Sequence, residues 1–197
     1  MTFLLGEVFD FDAQMTALPG CEEVNTELAT SVLEEGGKFC AEILEPLNRS
    51  GGEEGCKLED GLVTTPKGFA DAYKAFAEAG WPGLSGDPEY GGQGLPRVLQ
   101  ILFDEMLSSS NLSFGLFSGL TRGAVEAIAD HGNEQLKQKY LPKMISGEWT
   151  GAIMTSAINL NSGTARARSL TARSRLLRHL SVNVFDSRNI QGDCVGI

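Results

Sequence analysis

Basic residues are scarce in this chain: 16 Lys+Arg stand against 26 Asp+Glu, a formal net charge of −10 over 197 residues. A nucleic acid or an anionic membrane surface needs a basic face, so neither is expected as the main partner. Long apolar runs are missing too. No stretch approaches the ~20 residues that span a bilayer, and the start, Met1 to Glu7, has neither the basic n-region nor the apolar core of a secretory signal. The four cysteines, Cys21, Cys40, Cys56 and Cys194, include no closely spaced pair of the zinc-knuckle or redox type. They read as reduced and structural, in a soluble cytoplasmic protein. Only two histidines occur, His131 and His179. Neither joins an Asp/Cys constellation suited to metal binding or nucleophilic work, so no catalytic and no metal residue is assigned.

What is present suits a packed fold, with 42% hydrophobic and 21% charged residues. Charge is unevenly placed. Residues 1–156 carry 24 Asp+Glu against 10 Lys+Arg, whereas residues 157–197 carry six Arg, two Asp and no Lys or Glu. Leu28, Val32, Phe39, Ile43 and Leu47 recur at spacings of four or seven, which predicts a helix from Asn25 or Thr26 to about Leu44 with that stripe buried and Pro46 at its end. The interior pair Gly36-Gly37 marks either a close approach by another backbone or a local weakness. The glycines of residues 50–62 predict a loop. Thr65-Pro66 then reads as a helix start, with Phe69, Tyr73 and Phe76 buried and Gly80 at its end.

Six glycines and three prolines between Gly80 and Pro96 predict a structured loop. Helical spacing returns with Leu99, Leu102, Phe103 and Met106. After the polar break Ser108 to Asn111 a further helix is expected, with Leu116, Leu120, Ala124, Ala127 and Ile128 inward and Gly132 as its stop. Asn133 caps a shorter helix carrying Leu136 and Tyr140, with Pro142 at its end or opening the next turn and Gly147 closing the segment. Glu148 to Thr155 has the Trp, Thr and Ile enrichment of a first strand.

Three features resemble the acyl-CoA dehydrogenase family. Gly80 to Leu95 (G-W-P-G-L-S-G-D-P-E-Y-G-G-Q-G-L) is similar to its P-E-x-Y-G-G-x-G loop. His131 to Glu148 (H-G-N-E-Q-L-K-Q-K-Y-L-P-K-M-I-S-G-E) resembles the segment that leads into its flavin-contacting strand. The third feature is the order: helix pair, glycine-rich loop, helix pair, then that segment. Ala41–Ser50, Leu58–Phe69 and Asp104–Ser108 resemble the 3-methylmercaptopropionyl-CoA dehydrogenase-type branch. The resemblance covers roughly residues 20–156. It implies a mostly α fold, the family's N-terminal helical domain, followed by the first strand of a truncated β domain and an irregular tail. The corresponding partition is an arm at 1–21, the helical domain at 22–147, the start of the flavin-binding β domain at 148–156 and a non-homologous basic tail at 157–197.

The resemblance further implies FAD as cofactor and an acyl-CoA thioester as substrate. The reaction is α,β-dehydrogenation, in which a glutamate removes the α proton while the flavin accepts a hydride from the β carbon. Ile153, Thr155 and Ser156 occupy positions that correspond to flavin contacts. Leu99, Phe103 and Phe117 either border the acyl-chain pocket or pack as ordinary core. Glu148 and Trp149 read as a strand entrance. His131 reads as a helix C-terminal residue favoured by the helix dipole, and Asp104-Glu105 as a solvated or ion-paired face.

The sequence departs from the family after Thr155. The family continues L-T-E-P-x-x-G-[ST]-D, whereas Gly151 to Arg168 reads G-A-I-M-T-S-A-I-N-L-N-S-G-T-A-R-A-R, without the Glu-Pro and without Asp after Gly163-Thr164. As read, the chain lacks the catalytic base and most of the flavin domain, so it is expected to be inactive. Association through exposed helical surface, as a homo-oligomer or with a full-length relative, is the alternative role. The abrupt loss of motif and of charge balance has two readings: a change of reading frame between residues 154 and 165, or a divergent basic tail. Sequencing the transcript beyond the Thr155 codon separates them. A shifted frame that restores flavin-domain sequence supports the frame change, and its absence from both shifted frames sinks it.

Overall fold

The computed structural model describes residues 1–59, 62–155, 180–186 and 189–196. Ser156, Gly163, Thr164, the Arg/Leu-rich run that follows and His179 lie outside them. The chain divides into two compact units, one of residues 1–88 and 92–116 and one of residues 89–91 and 117–197.

The first unit is built on α2 (Thr26–Phe39) and α5 (Arg97–Ser110). The Asn25 side chain caps α2 by accepting the Leu28 N–H at 2.9 Å. The helical course does not stop before Pro46. It passes through a widened turn, Cys40–Leu44, in which the Glu45 N–H donates to the Cys40 carbonyl five residues back, and then resumes as α3 (Glu45–Glu54) with Pro46 in its first turn. A proline there has no N–H to lose and its ring clears the preceding turn. The buried stripe is accordingly Ala29, Leu33, Gly36, Cys40 and Leu44, with Phe39 beside it. Val32, Ile43 and Leu47 flank the core, and Leu28 faces solvent. The expected stripe was one residue out of phase because small Ala, Gly and Cys carry no weight in a hydrophobic count, yet they permit the closest approach.

The expected loop at 50–62 is a helix end and a hairpin. Gly51 lies inside α3 because the Phe69 ring fills the space its side chain would take, 2.5 Å from an ideal Cβ. Strands β1 (Lys57–Glu59) and β2 (Leu62–Thr64) pair antiparallel with Leu58 opposite Val63. Helix α4 (Phe69–Glu78) begins after Thr65-Pro66, since the positive-φ Gly68 interrupts the course and the Phe69 N–H closes a turn onto the Pro66 carbonyl. Ala72 and Phe76 are its buried residues, with Phe69 and Tyr73 partly buried, and it ends at Ala79-Gly80 as the sequence indicated.

Between α4 and α5 the glycine-rich segment folds on itself. Gln93, Gly94 and Leu95 donate backbone hydrogen bonds to the carbonyls of Gly83, Gly86 and Leu84 at 2.8–3.1 Å. A side chain at Gly92 would overlap the Gly86 carbonyl, so glycine is required there. Residues 1–21 also join the first unit: Leu5, Phe11 and Met15 are buried with Leu33 and Leu99, and Asp12 accepts from the Thr26 N–H and hydroxyl at 2.5 and 2.7 Å.

Helices α5 and α6 (Leu112–His131) meet at Asn111, which is fully buried. Its carboxamide donates to the Leu44 carbonyl at 3.3 Å and accepts the Phe114 N–H at 3.1 Å, joining the widened turn to the start of α6. The expected inward face of α6 is corrected in part. Phe114, Ala124 and Ile128 are buried, but Leu116 and Leu120 are outward, 62% and 54% exposed. Gly132 stops the helix, and Asn133 caps α7 (Glu134–Ile145) by accepting the Leu136 N–H at 3.0 Å. Pro142 sits within α7 rather than ending it, since Tyr140, Leu141, Met144 and Ile145 are held against Ala124 and Ile128. Strand β3 (Trp149–Thr155) follows as expected. β4 (Leu180–Asp186) and β5 (Asn189–Gly196) pair antiparallel in the order β3-β4-β5, within the stretch read as an irregular tail. In β4, Leu180, Val182 and Val184 alternate in the period of a strand.

Two predictions follow from the core. Phe103 is fully buried and stacked on Trp81 at 4.2 Å, and an ideal Cβ at Gly36 stands 2.7 Å from its ring. Gly36→Val is expected to lower stability by about 2 kcal/mol through overpacking. Gly37→Ala, whose nearest neighbour is the Met106 sulfur at 3.8 Å, is expected to gain about 0.5–1 kcal/mol from helix propensity. Urea unfolding checks both, and a neutral Gly36→Val contradicts the close packing. Burial also pushes the Cys40 thiol up to about 11 from 9.0 and the Tyr73 hydroxyl up to about 12 from 10.0. The fold therefore holds protons that the unfolded chain releases first. That contribution is whole below about pH 9 and declines as pH rises towards 12. The urea midpoint is expected to fall between pH 8 and 11, and a flat profile would contradict it.

Candidate functional site

The residues singled out by sequence fall in three places. Ile153 and Thr155 lie on β3, opposite Val182 and Leu180 of β4, and Ser156 is outside the described residues. Leu99 and Phe103 lie one turn apart on α5, and each is fully buried in the first unit. Leu99 packs with Leu5, Phe11, Met15 and Leu33. Phe103 lies between Gly36, Trp81 and Phe76, its ring nearly parallel to that of Phe76 at 6.4 Å. Phe117 is on α6 and 46% exposed, within the second unit.

Strand β3 is held at its start. The Gly151 N–H donates to the hydroxyl of buried Thr121 on α6 at 3.3 Å, and Thr150 is buried. Trp149 packs against Tyr140 at 5.9 Å between centroids, while the Lys143 ammonium lies 4.3 Å above the indole and 3.8 Å from Glu148. The cation thus lies over an aromatic face and beside a carboxylate at the start of β3. The strand order leaves one edge of β3 without a strand partner among the described residues. The family's Glu-Pro and its Gly-[Ser/Thr]-Asp are absent from the sequence.

A second feature is an open groove of about 510 Å³ in the first unit, floored by Phe39, Trp81 and Leu84 and rimmed by Glu35, Glu42 and Gln93. Lys38 at its lip pairs with Glu35 at 2.5 Å, and this hydrogen bond and charge hold its ammonium above the usual lysine range. Trp81 lies in the segment whose glycines and prolines predict a loop. Its clue was a large aromatic set among glycines, which needs somewhere to bury. Asn111 was read as part of a polar break, and its buried two-sided role has no local sequence signal.

No three His, Cys, Asp or Glu groups among the described residues are placed to hold an ion. Cys21, Cys40 and Cys56 are free thiols, and buried Cys40 is kept protonated. Among the described residues the buried polar ones are Gln100, Asn111, Thr121 and Thr150, and this set contains no carboxylate. No helix among the described residues is long and apolar enough to cross a membrane.

Comparison with known proteins supplies the family. Residues 33–148 match the acyl-CoA dehydrogenase N-terminal domain. The chain is 39% identical over 155 residues to a 3-methylmercaptopropionyl-CoA dehydrogenase of Ruegeria pomeroyi, covering 79% of this chain and 26% of that one. It is 37% identical over 119 residues to a butyryl-CoA dehydrogenase of Syntrophomonas wolfei, covering 59% of this chain and 19% of the relative. The chain thus spans about a fifth to a quarter of the length of these relatives. An acyl-CoA dehydrogenase from Bacillus anthracis, solved in complex with FAD, superposes with a TM-score of 0.55 at 20% identity, over 86% of this chain and 28% of that one, and shares the fold. With the helix pairs, the glycine-rich loop and the strand entrance in the order expected, the chain belongs to the acyl-CoA dehydrogenase family, and residues 33–148 are its N-terminal domain.

Proposed function

We propose that this chain is the helical N-terminal portion of an FAD-dependent acyl-CoA dehydrogenase of the 3-methylmercaptopropionyl-CoA type, and that the 197-residue polypeptide alone does not complete the reaction. The observation that carries the family reaction is the collinear similarity over 79% of the chain. In this reading 22–147 is the helical domain, 148–156 opens the flavin-binding β domain, and 1–21 and 157–197 are an arm and a basic tail. Three free thiols accord with a reducing, cytoplasmic setting.

FAD, when bound, would accept the hydride leaving the β carbon of the thioester. Ile153 and Thr155 would meet it from β3, and Ser156, named with them from the resemblance, lies outside the described residues. Phe117, with exposed surface on α6, would touch the acyl chain, whereas Leu99 and Phe103 are fully buried in the first unit and would serve its packing. Removing an α proton beside a thioester demands a carboxylate held in a dry pocket, because the C–H is a weak acid. The buried polar set among the described residues holds none. The purified chain is therefore expected to carry no stoichiometric flavin absorbance and to reduce no dye when given FAD and an acyl-CoA. Retained FAD or enoyl-CoA formation overturns that expectation.

A second reading, a non-catalytic partner of a full-length relative, rests on α6. Leu112, Leu116 and Leu120 follow one another at four-residue intervals, and they and Phe117 are between 46% and 62% exposed. An apolar stripe of this kind marks an association surface. Size-exclusion chromatography is expected to show self-association or co-elution with a full-length relative. Elution as a clean monomer under both conditions counts against the partner role and leaves the family assignment intact.

A further inference from the structure

We draw no further inference here: the strongest candidate, the open groove of the first unit floored by Phe39, Trp81 and Leu84 and rimmed by Glu35 and Glu42, carries nothing because nothing in the structure shows what covers it.

Discussion

The first unit depends on how closely α5 can lie against α2, and one contact sets that distance. The Phe103 ring occupies the space where Gly36 has no side chain, with Trp81 stacked on it and Phe76 alongside. Glycine inside a helix costs about 1 kcal/mol relative to alanine, but it lets an aromatic ring reach the helix backbone. Burying such a ring is worth more than that loss. Trp81 comes from the glycine-rich loop, so the same contact ties the loop to both helices. The family motif in that loop is thereby a structural device as well as a signature: its glycines let residues 93–95 fold back onto 83–86 and deliver the indole to the core.

The widened turn at Cys40–Leu44 extends this arrangement. A proline at position 46 of a regular helix would break it, yet here the turn ahead of the ring takes up the strain and the helix continues for ten residues. Asn111, 67 positions further along the chain, satisfies the Leu44 carbonyl and caps α6 with the same side chain. Leaving a buried polar group unpaired costs about 1–3 kcal/mol, so this residue couples two helix junctions that have no sequence proximity.

Among the described residues the buried polar set holds no carboxylate, β3 follows α7, and α6 carries an apolar stripe that faces solvent. A reaction that takes a proton from carbon and passes a hydride to a flavin needs a base and a ring system held together away from water.

Much was legible in the residues themselves. Asn25 and Asn133 announce helix starts because an Asn side chain can satisfy a free N–H locally, and Gly80 and Gly132 mark ends for an equally local reason. The motifs around Gly80–Leu95 and His131–Glu148 identified the family, since a tight loop and a strand entrance constrain residues that lie near one another in sequence. What needed the tertiary structure were the features that distant residues decide. Helix α3 persists through Gly51 because Phe69 covers it, α7 persists through Pro142 because Ala124 and Ile128 hold it, and the buried stripe of α2 shifts by one residue because Phe103 seeks a glycine. Apolar spacing also placed Leu116 and Leu120 inward, although both face solvent. A hydrophobic period records which residues can be buried together, and only the packing partners determine which of them are.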